Sequence, residues 1–498
     1  MYMGLDIGTS GVKAALVDGQ GNIIRQHQVS YGFSNTSDGR RELNPEEVLL
    51  GARACLAAAG GGYPVRTITV SALGEAVILC DSSGKCLCPG ITGTDIRGAE
   101  LFPVFLEKVG EKEFIEITGL NPSTIYSVNK LMWLKKNCLD LYGRAACVFT
   151  FQDFLIHTLS GIRAIDYSMA SRTGLFDCNE NKWSDRLLEI SGIREGLLSD
   201  PVRGGTVAGR ILPDEASKMN LPKDTLIVAG THDHICNAIG CGAVREGLCA
   251  NTAGTTEGLT AILNKKNMVP GKAQRHHIAC EPFVMDGLFN TVAWENTSGV
   301  LLKWFASEFV REQGPDLKHV FSWLNGHMEP GPTGILVLPH FSGAATPHMD
   351  EHSKGAVLGL SLDTKRADLY KAMMEGINYE LALIMEALLE AGIEAGQIIS
   401  TGGSLSPQLL QIKADILGRE IHTVGNQQTG TLGGAMLGAV AFGEYGDLET
   451  AAAGMVRPGI TYEPDRTAHE MYAEYMNQYR CVYPAVRSVF ECRNRRTE

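Results

Sequence analysis

The chain has 498 residues, more than one hydrophobic core ordinarily supports, so two domains are expected. An apolar fraction of 44% and a charged fraction of 20% fit a globular protein, and a net charge of -12 argues against nucleic acid or an acidic membrane as partner. The opening MYMGLDIGTSGVK has no basic flank, no apolar run approaches the roughly 20 residues of a membrane span, and thirteen scattered cysteines suit reduced thiols in a cytoplasmic protein.

In chain order, Tyr2–Leu5 reads as a strand, Asp6-Ile7-Gly8-Thr9-Ser10-Gly11 as a tight turn and Val12–Val17 as the return strand. Asp18-Gly19-Gln20-Gly21 turns the chain again. A helix is expected from Asn44-Pro45-Glu46-Glu47 to about Ala59, with proline in its first turn. Arg66–Val70 is a strand that ends at Ser71-Ala72-Leu73-Gly74-Glu75, and Thr92–Arg97 is a further polar loop. Helical spacing returns at 129–137 and 152–159, and 167–176 is a stretch of small and polar residues.

The middle of the chain carries a strand, Leu226–Ala229, then a lone acid, Asp233, and a short helix over Ile235–Ile239. Gly240-Cys241-Gly242 ends that helix and reads either as a hinge between halves or as a helix cap with a linker. The hydroxyl-rich turn Asn251-Thr252-Ala253-Gly254-Thr255-Thr256 lies between two short strands, as Gly8-Thr9-Ser10 does, so the halves read as duplicated versions of one hairpin-based domain. Helices are expected over 295–309 and 364–390, then a strand at 398–400, the loop Thr401-Gly402-Gly403-Ser404 and a helix over 408–417. Strands alternating with helices define an α/β protein with domains 1–244 and 245–498.

An acid at a strand end can accept a proton from an attacking hydroxyl, and glycine–hydroxyl turns offer backbone N–H groups to phosphate. The ordered set Asp6-Ile7-Gly8-Thr9-Ser10, Gly230-Thr231-His232-Asp233, Ala253-Gly254-Thr255-Thr256 and Gly402-Gly403-Ser404 resembles the phosphate-1, catalytic, phosphate-2 and adenosine elements of the FGGY carbohydrate kinases. Lys130–Lys135, Ala170-Ser171-Arg172-Thr173, Ser342–Pro347 and Gly355–Leu360 resemble that family's connecting segments, so the likeness covers essentially the whole chain. It implies two ribonuclease-H-like domains of the actin and hexokinase type with a cleft between them, closing as ATP, Mg²⁺ and a sugar bind.

The resemblance implies Asp233 as general base and Asp6 as Mg²⁺ partner through water. Thr9, Ser10, Gly254 and Thr255, with Gly8 in the first turn, would hold phosphate oxygens. Gly402, Gly403 and Gly299 would let backbone approach the nucleotide, beside Ser404. Glu75 and Asp95 match sugar-contacting positions, because a carboxylate accepts hydrogen bonds from two hydroxyls. Many relatives carry Met-His-Gly or Arg-Glu where this chain has Leu73-Gly74-Glu75, tryptophan at Gly93, and Glu-Arg at Ala344-Ala345, which puts xylulose and glycerol themselves in doubt. The expected partner is a ketose or related polyol, and a second copy of the chain in a homodimer. Two rival readings stand beside it: a metal-dependent hydrolase using His232-Asp233-His234 with His276-His277, and a nucleotide-sensing module without transfer.

Overall fold

The structure is a computed structural model that describes residues 1–310, 316–426 and 428–494. The chain forms two units. The first comprises Met1–Arg245, Ala279–Asn290 and Asn426–Arg457, and the second Glu246–Ile278, Thr291–Gly425 and the residues from Pro458 onward.

The first unit is built on strands β1 (Tyr2–Ile7), β2 (Gly11–Val17), β3 (Ile23–Ser30), β4 (Thr67–Ala72), β5 (Val207–Arg210) and β6 (Leu226–His232), in the order β5-β6-β4-β1-β2-β3. β1, β2 and β3 form an antiparallel meander, β4 and β6 extend it in parallel, and β5 closes the edge antiparallel to β6. The second sheet, whose strand β9 enters the second unit at Thr291, has β7 (Leu248–Ala253), β8 (Glu257–Asn264), β9 (Leu288–Glu295), β10 (Gln397–Thr401), β11 (Ile421–Val424) and β12 (Pro458–Tyr462) in the order β9-β8-β7-β10-β11-β12. Here too an antiparallel hairpin, β7–β8, is joined by two parallel strands and closed by an antiparallel one. The repeated sheet order accounts for the repeated glycine–hydroxyl turns: each joins the first two strands of its sheet.

Tyr2, Met3, Leu5 and Ile7 of β1 are all buried, because helices cover both faces of that strand. One cover is α1 (Pro45–Gly60), started by an Asn44 side chain that accepts from the Glu46 N–H, with Pro45 in the first turn. The other comes from far along the chain, where Thr429–Phe442 forms a helix apolar nearly all round. A Cβ on Gly4 would sit 1.9 Å from the Thr431 carbonyl oxygen of that helix, so glycine is what allows the two backbones to touch.

That late helix is why the division of the chain differs from the expected 1–244 and 245–498. The break falls after Arg245, but 279–290 and 426–457 return to the first unit. A helix with no polar stripe must be covered all round, and β1, β4 and the helix after β6 cover it. The same contact accounts for Gly240, whose Cβ would lie 1.9 Å from the Thr429 carbonyl oxygen, while Gly242 takes φ +84° just past the helix end. The Gly240–Gly242 segment is therefore a close helix crossing and a helix cap inside the first unit, just before the break after Arg245. The helix expected over 295–309 begins only at Gly299, since residues up to Glu295 belong to β9. Among the described residues, no helix is long and apolar enough to cross a membrane.

Candidate active site

In the first unit, Asp6 is the next-to-last residue of β1 and stands opposite Lys13 of β2. Its Oδ1 is sealed from water and has no hydrogen-bond partner among the described residues. Burial, then the charge of Asp233, pushes its carboxyl up to about 7, with Lys13 pulling the other way. Asp233 is the first residue of the helix Asp233–Gly240, directly after β6. One strand end and one helix start thus bring the two acids within electrostatic reach. Between them in function is the turn at Gly8, closed by a Gly8 N–H to Gly11 carbonyl bond of 3.0 Å and by the Tyr31 hydroxyl, which donates to the carbonyls of Gly8 and Gly11. Thr9 and Ser10 are exposed at its tip. The donor set suits a hydrated Mg²⁺: an unpartnered carboxylate oxygen beside a second carboxylate, with hydroxyls at hand.

The sugar-contacting candidates part company. Glu75 takes φ +60°, a conformation rare for a residue with a side chain. Its Oε1 is held by Arg172, whose other side grips Glu281 at 2.9 Å. Burial opposes the charge on Arg172, but the two carboxylates more than offset this and keep the guanidinium firmly protonated. Gly93 is what admits Glu75, since a Cβ there would lie 3.1 Å from Glu75 Cβ and Oε2. Any side chain at 93 would press on Glu75. Gly74 likewise lies under His232, whose Nε2 would be 3.1 Å from an added Cβ. The imidazole of His232 is held toward its neutral form, first by burial.

Asp95 is a correction. It was expected to offer its carboxylate to a polyol, but the protein already fills it. Oδ1 accepts from Arg97 N and Nε at 2.9 and 2.8 Å, and Oδ2 from Arg41 N and Arg97 Nη2 at 2.8 and 2.6 Å. A carboxylate has about four acceptor sites, so Asp95 fastens its loop and has none left for a sugar. Lys130 is also engaged: fully buried, it donates to the carbonyls of Gly93, Thr124 and Ile125 at 3.0, 2.8 and 2.7 Å. Burial lowers its ammonium to about 8, against the pull of Glu75 and Asp95.

In the second unit the remaining candidates converge. The Gly254–Thr256 turn is closed by Gly254 N–H to the Thr256 carbonyl at 2.8 Å. The N–H groups of Ser298 and Gly299, at the start of the helix Gly299–Phe309, bond the Thr255 and Gly254 carbonyls at 3.1 and 3.0 Å. The Ser404 hydroxyl donates to the Gly254 carbonyl at 2.8 Å, and Gly402, at φ +121°, lies where a Cβ would meet the Ala253 carbonyl oxygen at 2.1 Å. Gly403 has open space above it, and Thr255 and Thr256 are exposed. Gly299 differs from the expectation. It is buried, and its missing side chain makes room for Ser404 Oγ, 1.9 Å from an added Cβ, so it lets protein rather than nucleotide approach.

Behind the turn lies a buried polar array that the sequence did not disclose. Lys413, fully buried, donates to Asn251 Oδ1 at 2.6 Å and to Glu257 Oε1. Glu257 Oε2 accepts the Ser298 hydroxyl at 2.9 Å, and Ser400 donates to Asn251 at 2.8 Å. Burial would raise the Glu257 carboxyl, but Lys413 more than reverses this. Glu295 beside it is raised far above the usual range by burial and then by Glu257. Burial and the neighbouring Glu257 charge both favour its protonated form, which is how two adjacent buried carboxyls can be tolerated.

Arg172, Glu281, Lys130, Lys13 and Lys413 were missed or left without a role, because a buried cation looks like any surface lysine or arginine in one sequence. The His276–His277 pair does not join the other histidines as ligands. His276 bonds Glu390 at 3.0 Å within the second unit, and the potential ligand group is His232, Asp233 and His234.

Two sheets of one strand order, each presenting a glycine–hydroxyl turn and one of them an aspartate pair, form a two-domain α/β fold of the actin and hexokinase type. Residues 1–240 match the N-terminal domain, and 249–442 the C-terminal domain, of the FGGY family of carbohydrate kinases. The chain belongs to that family and is a carbohydrate kinase. It is 25% identical to a gluconokinase of Bacillus subtilis, over 97% of this chain and 94% of that protein. It is 26% identical to a xylulose kinase of the same organism, over 97% and 96%. A solved xylulose kinase from Lactobacillus acidophilus superposes with a TM-score of 0.88 at 22% identity, covering 98% of this chain and 99% of that one.

Proposed function

We propose that the protein transfers the γ-phosphoryl group of ATP to a hydroxyl of an uncharged sugar, a ketose such as a pentulose or a related polyol. Asp233 takes the hydroxyl proton, and a general base of this kind contributes roughly 10²–10⁴-fold. It is the first residue of a helix that directly follows β6, which fixes its backbone at the strand end. Asp6 holds the metal through water, and Mg²⁺ there would neutralise phosphate charge. Thr9 and Ser10, with Gly254 and Thr255, bind phosphate oxygens, and Gly402 and Gly403 accommodate the nucleotide backbone.

The uncharged substrate class rests on one observation: the cations at the candidate sugar loops are already matched. Arg172 faces Glu75 and Glu281, Arg97 faces Asp95 and Glu42, and Lys130 is enclosed by three carbonyls. An aldonate carboxylate would meet Glu75 and Asp233, with Arg172, Arg97 and Lys130 already engaged among the described residues, whereas sugar hydroxyls can donate to both carboxylates. A coupled ADP-release assay across ketopentoses, ketohexoses, polyols and aldonates tests this. Ketoses or polyols should give the highest kcat/KM, and preference for an aldonate would overturn the assignment.

A further inference from the structure

Kinase chemistry at Asp233 needs one carboxylate; it does not need the two imidazoles that flank it. One ligand atom from each of His232, Asp233 and His234 lies within 4.8 Å of the other two. Asp233 Oδ1 is 3.3 Å from His232 Nε2 and 3.9 Å from His234 Nε2. The two rings are tilted at 65° with centroids 5.2 Å apart, so they flank the carboxylate without stacking on each other.

A tetrahedral ion with ligand bonds of about 2.0–2.1 Å keeps its ligand atoms about 3.3 Å apart. One edge of the group already has that length. The second must shorten by about half an ångström, and the third, between the two imidazoles, lies within 4.8 Å, so the His234 side chain, 46% exposed, is the one that swings in to close both. We propose that His232, Asp233 and His234 form a binding site for a divalent ion of the zinc type, and that its occupation switches the kinase off. Two imidazole nitrogens and one carboxylate oxygen favour Zn²⁺, Co²⁺, Ni²⁺ or Cu²⁺ over Mg²⁺, which prefers oxygen ligands and its own waters. Three protein ligands leave a fourth position for water. A carboxylate engaged by the ion cannot take a hydroxyl proton, so binding and turnover exclude each other. The amino end of the helix Asp233–Gly240 disfavours a cation, which keeps the site weak enough to be emptied by a chelator. The inhibition half of the proposal rests on Asp233 being the base; the binding half does not.

The test titrates the metal-free full-length chain with Co²⁺, read by its visible d–d absorption, and measures Zn²⁺ inhibition at saturating Mg²⁺ and ATP. The chain should give a nitrogen–oxygen Co²⁺ spectrum without a thiolate charge-transfer band, and EDTA should restore activity. His234→Gln, at an exposed position outside the kinase machinery, should leave metal-free turnover unchanged. It should raise the half-inhibiting Zn²⁺ concentration at least about tenfold, the scale of even an outer-shell loss. Asp233→Asn should lose the Co²⁺ signal. If it also kept full turnover, the base assignment would fall while the metal site stood. A Co²⁺ spectrum unchanged in His234→Gln, a thiolate band, or equal Zn²⁺ inhibition of both chains would overturn the metal site.

Discussion

Lys413→Met removes the cation at the centre of the array behind the Gly254–Thr256 turn while keeping most of the side-chain volume. Lys413 is fully buried and is the partner that favours the ionised form of Glu257, against burial, beside Glu295, whose carboxyl is pushed the other way. Breaking a buried ion pair from one side costs about 3–5 kcal/mol. The variant can limit that loss by protonating Glu257. From the ordinary value of 4.5, this costs about 3.4 kcal/mol at pH 7 but only about 1.4 kcal/mol at pH 5.5. In the variant the folded-state value of Glu257 lies above the unfolded one, so stability falls as pH rises. The penalty relative to the unaltered chain should therefore be about 2 kcal/mol larger at pH 7 than at pH 5.5. Urea unfolding followed by tryptophan fluorescence reports it, since Trp294, Trp304 and Trp323 lie in the second unit. Because Ser298 links Glu257 to the phosphate turn, KM for ATP should rise as well. A loss below about 1 kcal/mol at pH 7, or one indifferent to pH, would refute the view of Lys413 as the counter-charge.

Asp233→Asn should lower kcat by roughly 10²–10⁴-fold with little change in ATP affinity, measured by steady-state kinetics and nucleotide titration; near-normal kcat removes Asp233 as base. Thr9→Val and Thr255→Val should each raise KM for ATP more than KM for sugar, and an effect on sugar alone would mean the turns do not hold phosphate. Asp6, raised to about 7, contributes stability that is complete below about pH 4 and lost as pH rises through 7. In EDTA, Asp6→Asn should thus gain on the order of 4 kcal/mol at pH 8 and almost nothing near pH 4. Equal unfolding midpoints for the two chains at pH 8 would show that Asp6 is not strained in the metal-free state.

The sequence by itself determined the parts that depend on local backbone chemistry. Gly8-Thr9-Ser10 and Gly254-Thr255-Thr256 could be read as turns because glycine and hydroxyl residues between short apolar runs specify a turn wherever they occur. Asp233 could be placed at a helix start because a lone acid after a strand and before an apolar run has few other settings. Tertiary structure decided what those residues meet. That the Arg41 backbone completes the partners of Asp95, that Gly299 yields to Ser404, and that Lys413 charges Glu257 are contacts between residues far apart in the chain, invisible to any local pattern. The domain division was misjudged for the same reason. Residues 426–457 lie between the last two strands of the second sheet in sequence, yet Gly4 and Gly240 shape a surface that the helix Thr429–Phe442 covers. Sequence order fixes which segment comes next, whereas burial of apolar area fixes where it packs, and a glycine-rich helix without a polar face goes where backbones can touch.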